Sequence, residues 1–253
     1  MPHVKESQIY CEINPIDYSQ WGEQQLIAHF LAKLPAHDKW CVDVGAGDGE
    51  TLSNTRELRT AGYKAVLIEA DSAKWRAIQN NPGPYPRTIL CSVMSSGCHS
   101  LDRILTETRN TPPPTDFDFL SIDIDGNDYH IWAGLKNYTP KLVCIEFNPT
   151  IQDNLTVIPP DNPDLRMGSS LAALVELGKT KGYELAAVTV TNAIFVRADL
   201  YPLLGITDNS IPALWTNRCF LSWTFYGYDG AQYTAGYPVC PWAVNADEVA
   251  ANV

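Results

Sequence analysis

The sequence contains no uncharged apolar stretch of 18 residues, so nothing in it predicts a membrane span. Residues 1–14 mix charged and polar side chains without an apolar run of signal-peptide length, which makes the cytoplasm the expected compartment. Basic residues are scarce: 18 Lys and Arg stand against 29 Asp and Glu, the formal net charge is -11, and no basic run stands out. That balance argues against nucleic acid or an acidic membrane as partner, because both repel an acidic surface. No pair among Cys11, Cys41, Cys91, Cys98, Cys144, Cys219 and Cys240 has C-x-x-C spacing, which removes zinc-knuckle and redox-motif readings. Free thiols in a reducing compartment are expected. Cys41, Cys91 and Cys144 lie in or beside apolar runs, where cysteine acts as a small hydrophobe. There is no internal repeat and no low-complexity tract.

What is present is an alternation of strand and helix patterns. The chain has 253 residues, 45% of them hydrophobic, enough to bury a core without staples. Residues 20–34 read as a helix, with Leu26, Ile27, Phe30, Leu31 and Leu34 on one face and Pro35 ending it. Strands are predicted over 40–44, 65–68, 88–93, 117–122 and 141–147. Helices are predicted over 50–61, 72–79, 101–108, 127–135 and 170–181, with a Pro-rich linker over 111–114. Residues 151–167 read as a long loop of the kind that forms lids or substrate walls. Strands over 184–190 and 193–197, joined by Thr191 and Asn192, suggest a hairpin that would put one antiparallel strand in the sheet. Residues 198–253 carry Trp215, Trp223, Phe225, Tyr226, Tyr228, Tyr233, Tyr237 and Trp242 without clear period. Core packing is the preferred reading of these aromatics, and a homodimer formed through them stays open. The expected fold is a doubly wound α/β sheet. It forms one domain over 1–253: an N-terminal helical segment (1–38), a core (39–200) and an irregular extension (201–253).

In such sheets ligands bind beyond the carboxyl ends of the strands, where strand order reverses. The candidate contacts there are Asp43, Gly45, Ala46, Gly47, Asp48, Gly49, Glu69, Ala70, Asp71, Cys91, Ser92 and Asp123. Three glycines at alternate positions let the backbone turn tightly and approach a ligand. The pattern is G-x-G-x-G rather than the dinucleotide G-x-G-x-x-G, which weakens a nicotinamide dehydrogenase reading. Asp43 and Asp48 would repel a pyrophosphate but suit a sulfonium cofactor bearing an ammonium group. Glu69, ending the second strand, can accept both ribose hydroxyls of an adenosyl group. Asp71 can share that work or cap the next helix. Asp123 and Asp125 share a face if the strand continues, and Glu146 and Asn148 repeat the spacing one strand over. These four form a candidate Mg²⁺ site. The competing reading gives Asp125 a capping role and Asp123 hydrogen bonds to cofactor. His130, one helical turn on, is a candidate base or an ordinary packed residue.

Together these segments resemble the FkbM-like S-adenosylmethionine-dependent methyltransferases. The resemblance runs in order through residues 18–23, 42–49, 52–55, 67–71, 100–105, 116–132, 143–148, 182–183 and 191–196. It implies a seven-stranded sheet with one antiparallel strand. It implies that residues 43–49 and Glu69 hold the cofactor, and that Ser53, Asn54, Gln20 and Glu23 are further cofactor or active-site contacts. The implied activity is methyl transfer to a small-molecule acceptor, foremost a metabolite or sugar hydroxyl; the candidate Mg²⁺ site, read from the residues themselves, would assist it. Metal-independent methylation of an amine or peptide terminus is the alternative, and a catalytically silent binding protein of the same fold is a third reading.

Overall fold

The structure is a computed structural model that describes residues 17–35, 38–80, 86–108 and 112–236. Cys11, Cys240, Thr111, Tyr237 and Trp242, with the segments around them, lie outside the described residues. Helix α1 (Glu23–Lys33) opens the fold, followed by β1 (Trp40–Val44), α2 (Arg56–Thr60), β2 (Lys64–Glu69), α3 (Ser72–Asn80) and β3 (Pro86–Leu90). Then come α4 (Leu101–Thr106), β4 (Phe119–Ile122), α5 (Asp128–Gly134), β5 (Leu142–Glu146), α6 (Leu171–Thr180), β6 (Tyr183–Val188) and β7 (Asn192–Arg197). A short helix α7 (Ile211–Leu214) and the strands β8 (Ser222–Tyr226) and β9 (Gln232–Gly236) end the described chain.

Seven strands form one sheet in the order β3-β2-β1-β4-β5-β7-β6. β7 runs antiparallel to both neighbours and the other pairings are parallel. This is the sheet the resemblance implied, and its antiparallel strand comes from the expected β6–β7 hairpin. Strand order reverses at β1 and β4, so the carboxyl ends of these two strands diverge into a crevice.

Alternation along the strands divides the core in two. Val42, Val44, Leu120, Ile122, Val143 and Ile145 face α4, α5 and α6, where Leu105, Ile131, Trp132 and Leu174 cover them. Cys41, Ala65, Leu67, Phe119 and Cys144 face α1, α2 and α3, where Ile27, Phe30, Leu58 and Ile78 cover them. Asp43 and Ser121 belong by period to this second face and pair in register across β1 and β4. A polar row thus enters an otherwise apolar layer just where the crevice begins. Cys41, Cys91, Cys98, Cys144 and Cys219 are free thiols.

Several expected elements shift. The first helix starts at Glu23 because Gly22, at φ +87°, takes a left-handed conformation that breaks the turn before it. The helix expected over 50–61 shrinks to Arg56–Thr60. Asp48 captures the backbone N–H groups of Glu50 and Thr51, and Leu52 takes φ +56°, so 50–55 winds through turns instead. β3 lies earlier than the expected 88–93, which leaves Cys91 and Ser92 beyond the strand end. The extension is not wholly irregular: β8 and β9 form an antiparallel hairpin. Trp215 is buried against Phe147, but Trp223, Phe225, Tyr226, Tyr228 and Tyr233 are exposed, so core packing fails for most of these aromatics. No helix among the described residues is long and apolar enough to cross a membrane.

Candidate active site

A cavity of about 760 Å³ occupies the crevice at the carboxyl ends of β1, β2, β4 and β5. Its size falls within the usual range for small-molecule sites. The turn after β1 forms one wall. Gly45 sits at φ +87°, and a Cβ there would lie 1.7 Å from the Asp123 carbonyl oxygen. Only glycine lets the β1 turn pass so close to the β4 loop. Gly47 is different: at φ +58° it too favours glycine, but a Cβ would meet nothing within 4 Å. It lines the cavity and leaves room over its backbone.

Glu69 joins the two strand ends. One carboxylate oxygen accepts from Gly47 N–H at 2.7 Å and the other from Asp71 N–H at 2.8 Å. Asp71 caps α3 by accepting from Ala73 and Lys74 N–H. Those two bonds hold its carboxyl below the usual range. It also lines the cavity, beside Ala70, Cys91 and Ser92. On the β1–β4 side, Asp43 accepts from Thr55 Oγ1 at 2.6 Å. Burial raises its carboxyl, while the Thr55 bond and the Arg59 charge oppose that rise. Asn54 donates to Ser121 Oγ at 3.1 Å, and its Oδ1 is buried without a hydrogen-bond partner among the described residues. Ser53, Ala46 and Gln20 complete this wall.

The far end of the cavity is acidic. Side-chain oxygens of Asp123, Asp125 and Glu146 lie within 4.8 Å of one another. Burial, then the charges of Asp128 and Asp125, pushes the Asp123 carboxyl well up. Burial, then the Asp123 charge, does the same for Glu146. Two adjacent carboxyls in a half-buried site favour retaining a proton between them. Asp125, at φ +58°, is exposed and meets Arg166 Nη1 at 3.2 Å. Asp128 accepts from Ile124 and Gly126 N–H and fixes this loop from beneath; burial pushes its carboxyl up to about 6.

The long loop over 151–167 is the remaining wall. Asp161 accepts from Ser95 Oγ at 2.5 Å and from Asn127 Nδ2 at 3.0 Å, which pins the loop to the segment after β3 and to the cap of α5. Pro163, Arg166, Met167 and Gly168 reach the cavity from it. Gly126 admits this approach, since a Cβ there would lie 2.5 Å from the Leu165 carbonyl oxygen.

Five expected site residues take other positions. Glu23 is fully buried and accepts from Thr189 Oγ1 at 2.5 Å and Asn192 Nδ2 at 3.2 Å, tying α1 to the β6–β7 hairpin rather than lining the cavity. Asp48 and Gly49 also lie off the lining: Asp48 serves its own turn and Gly49 packs on Ile78. His130 Nε2 lies 2.7 Å from the Pro159 carbonyl oxygen and supports the long loop instead of facing the cavity. Asn148 reaches the cavity, but its carbonyl oxygen accepts from Thr150 N–H and Oγ1, so it is taken from the expected Mg²⁺ set. Asp128, Asn127 and Arg166 were not singled out by the sequence. The first two carry a signal in hindsight, as polar residues just before a helix, whereas Arg166 carries none.

No family model matches this chain, and no curated protein matches it. Among solved structures it is similar to a TehB-like SAM-dependent methyltransferase from Corynebacterium glutamicum, at 17% identity over 70% of this chain and 88% of that one, TM-score 0.41. A SAM-dependent methyltransferase from Aquifex aeolicus is 12% identical over 69% and 88% of the two chains, TM-score 0.41. Precorrin-6y C5,15-methyltransferase from Geobacter metallireducens is 16% identical over 68% and 87%, TM-score 0.42. Likenesses this distant carry no argument about activity. The strand order and the single antiparallel strand define the fold on their own: it is the class I methyltransferase fold.

Proposed function

We propose that this chain is an S-adenosylmethionine-dependent methyltransferase, related to the FkbM-like enzymes through the ordered motifs above. The observation that carries the reading is the glycine turn at the β1–β4 switch point, tied by Glu69 to the end of β2 across an open cavity. Two features fit the cofactor: the empty space over Gly47, which any side chain would fill, and the unpartnered Asn54 carbonyl oxygen in the same wall. Glu69 would hold the ribose hydroxyls, and the turn over 43–47 with Asp43 would hold the amino-acid end. When bound, that cofactor supplies a methyl group on a sulfonium, which is already set to leave.

The chain's own work is then positioning. Holding an acceptor in line with the methyl removes up to roughly 7–11 kcal/mol of barrier. The 151–167 segment would screen the cavity from water, and the Asp123–Glu146 pair would take the acceptor's proton. We propose a small-molecule hydroxyl as acceptor. Asp123, Asp125 and Glu146 would hold Mg²⁺, which lowers the pKa of a bound hydroxyl. One observation favours the metal-free alternative on an amine: Arg166 already offsets Asp125 at 3.2 Å.

Calorimetry with S-adenosylhomocysteine tests the main reading. The parent chain should bind and a folded Gly47→Arg variant should not; no binding by the parent would overturn it. Methyl-transfer assays before and after EDTA separate the two acceptor readings, since full activity in EDTA excludes the metal.

A further inference from the structure

Beneath the glycine turn lies a buried cation, Arg59. Arg59, the fourth residue of α2, is 0% exposed. It packs on the face of β1 that carries Cys41 and Asp43, and its charge acts on both. Its Nη2 donates to the Gly49 carbonyl oxygen, while Nε and Nη1 have no hydrogen-bond partner among the described residues. The nearest Glu50 oxygen is 3.9 Å away, and Glu50 spends its other oxygen on Arg56 at 2.5 Å. A guanidinium stripped of water with only one of its five donors used among the described residues is costly. The fold places it there all the same, with one donor on the turn and its charge beside Asp43.

We infer that Arg59 is a positioning residue for the cofactor turn. It acts in two ways, both through other groups. The bond to Gly49 closes the turn from below and sets the path of the backbone from Gly45 to Gly49. The charge offsets Asp43, a buried carboxyl in the cavity wall that otherwise faces Glu69 and Asp123. Thr55 gives Asp43 one hydrogen bond but no charge. Arg59 does not line the cavity, so it touches no ligand. A single donor and a positive charge are all it contributes, and lysine can provide both. At this position lysine should therefore serve, which it would not do at a forked, two-bond contact.

This inference rests on the cofactor reading above. Its test is calorimetry of S-adenosylhomocysteine with the full chain and the Arg59→Met, Arg59→Lys, Asp43→Asn and Arg59→Met/Asp43→Asn variants, each checked for fold by circular dichroism. Arg59→Met should weaken binding about tenfold or more, because a displaced turn misplaces every contact on it. Arg59→Lys should stay within about threefold of the parent. Part of the Arg59→Met loss should vanish in the Asp43→Asn background, where no carboxylate is left to offset, while the part due to the lost Gly49 bond should remain. A folded Arg59→Met variant that binds like the parent overturns the inference, and so does an Arg59→Lys variant as weak as Arg59→Met. If Arg59→Met does not fold, the double variant, which leaves no unpaired buried charge at this spot, should bind more weakly than Asp43→Asn, and equal binding by the two overturns the inference. Absence of binding by the parent sinks the cofactor reading itself, a result distinct from either of these.

Discussion

Gly45 and Gly47 stand two residues apart in one turn, yet their substitutions should fail differently. Gly45→Ala drives a methyl into the Asp123 carbonyl oxygen and imposes a left-handed conformation on alanine. It should cost at least about 3 kcal/mol, read as a fall in the urea midpoint. Gly47→Ala meets open space, so only the conformational cost of about 1–2 kcal/mol applies. A second residue-scale effect concerns Asp128, whose carboxyl is raised by burial to about 6. A carboxyl raised on folding favours the protonated native state. Its contribution is therefore full below the unfolded value near pH 4 and is lost as pH rises through about 6. Asp128→Asn removes that titration. Relative to the parent, the variant's urea midpoint should rise between pH 4 and pH 7; a constant difference would show that Asp128 keeps an ordinary pKa.

Elements divide by how local their signals are. The β6–β7 hairpin was legible because apolar runs flank Thr191 and Asn192. α6 was legible because Ser170 caps its start, accepting from Ala173 N–H, and Gly182 follows its end at φ +79°. The segment over 50–55 misled because its residues tolerate a helix, and nothing local reveals that Asp48 and Leu52 unwind it. The long loop over 151–167 was legible as a loop but not as a wall, because its ties run to Ser95 and Asn127, far off in sequence. Asp161→Ala should release it. Hydrogen exchange over 151–167 should speed up, while global stability moves by less than about 1 kcal/mol. Unchanged exchange there would mean that other contacts hold the wall.

At the scale of the molecule, ligand and fold are linked. A ligand that binds only the native state at a hundredfold its Kd adds about 2.7 kcal/mol of stability. S-adenosylhomocysteine at that level should therefore raise Tm by several degrees. NADH at equal concentration should leave it unchanged, as the missing third glycine of the dinucleotide pattern requires. A rise with NADH alone would point to a dehydrogenase.

The sequence by itself determined the alternation of strand and helix, the glycine turn over 45–49, Glu69 at a strand end and the acidic pairs after β4 and β5. Each of these is a short-range matter of period, turn chemistry or residue type within a few positions. Tertiary structure alone decided that Asp123 and Glu146 bring oxygens within 4.8 Å of each other, that Asn148 spends its oxygen on Thr150 while His130 holds Pro159, and that Arg59 lies under the glycine turn. Strand order and the packing of α2 and the long loop set those neighbours. A local pattern fixes which way a side chain faces but not which distant chain segment it will meet.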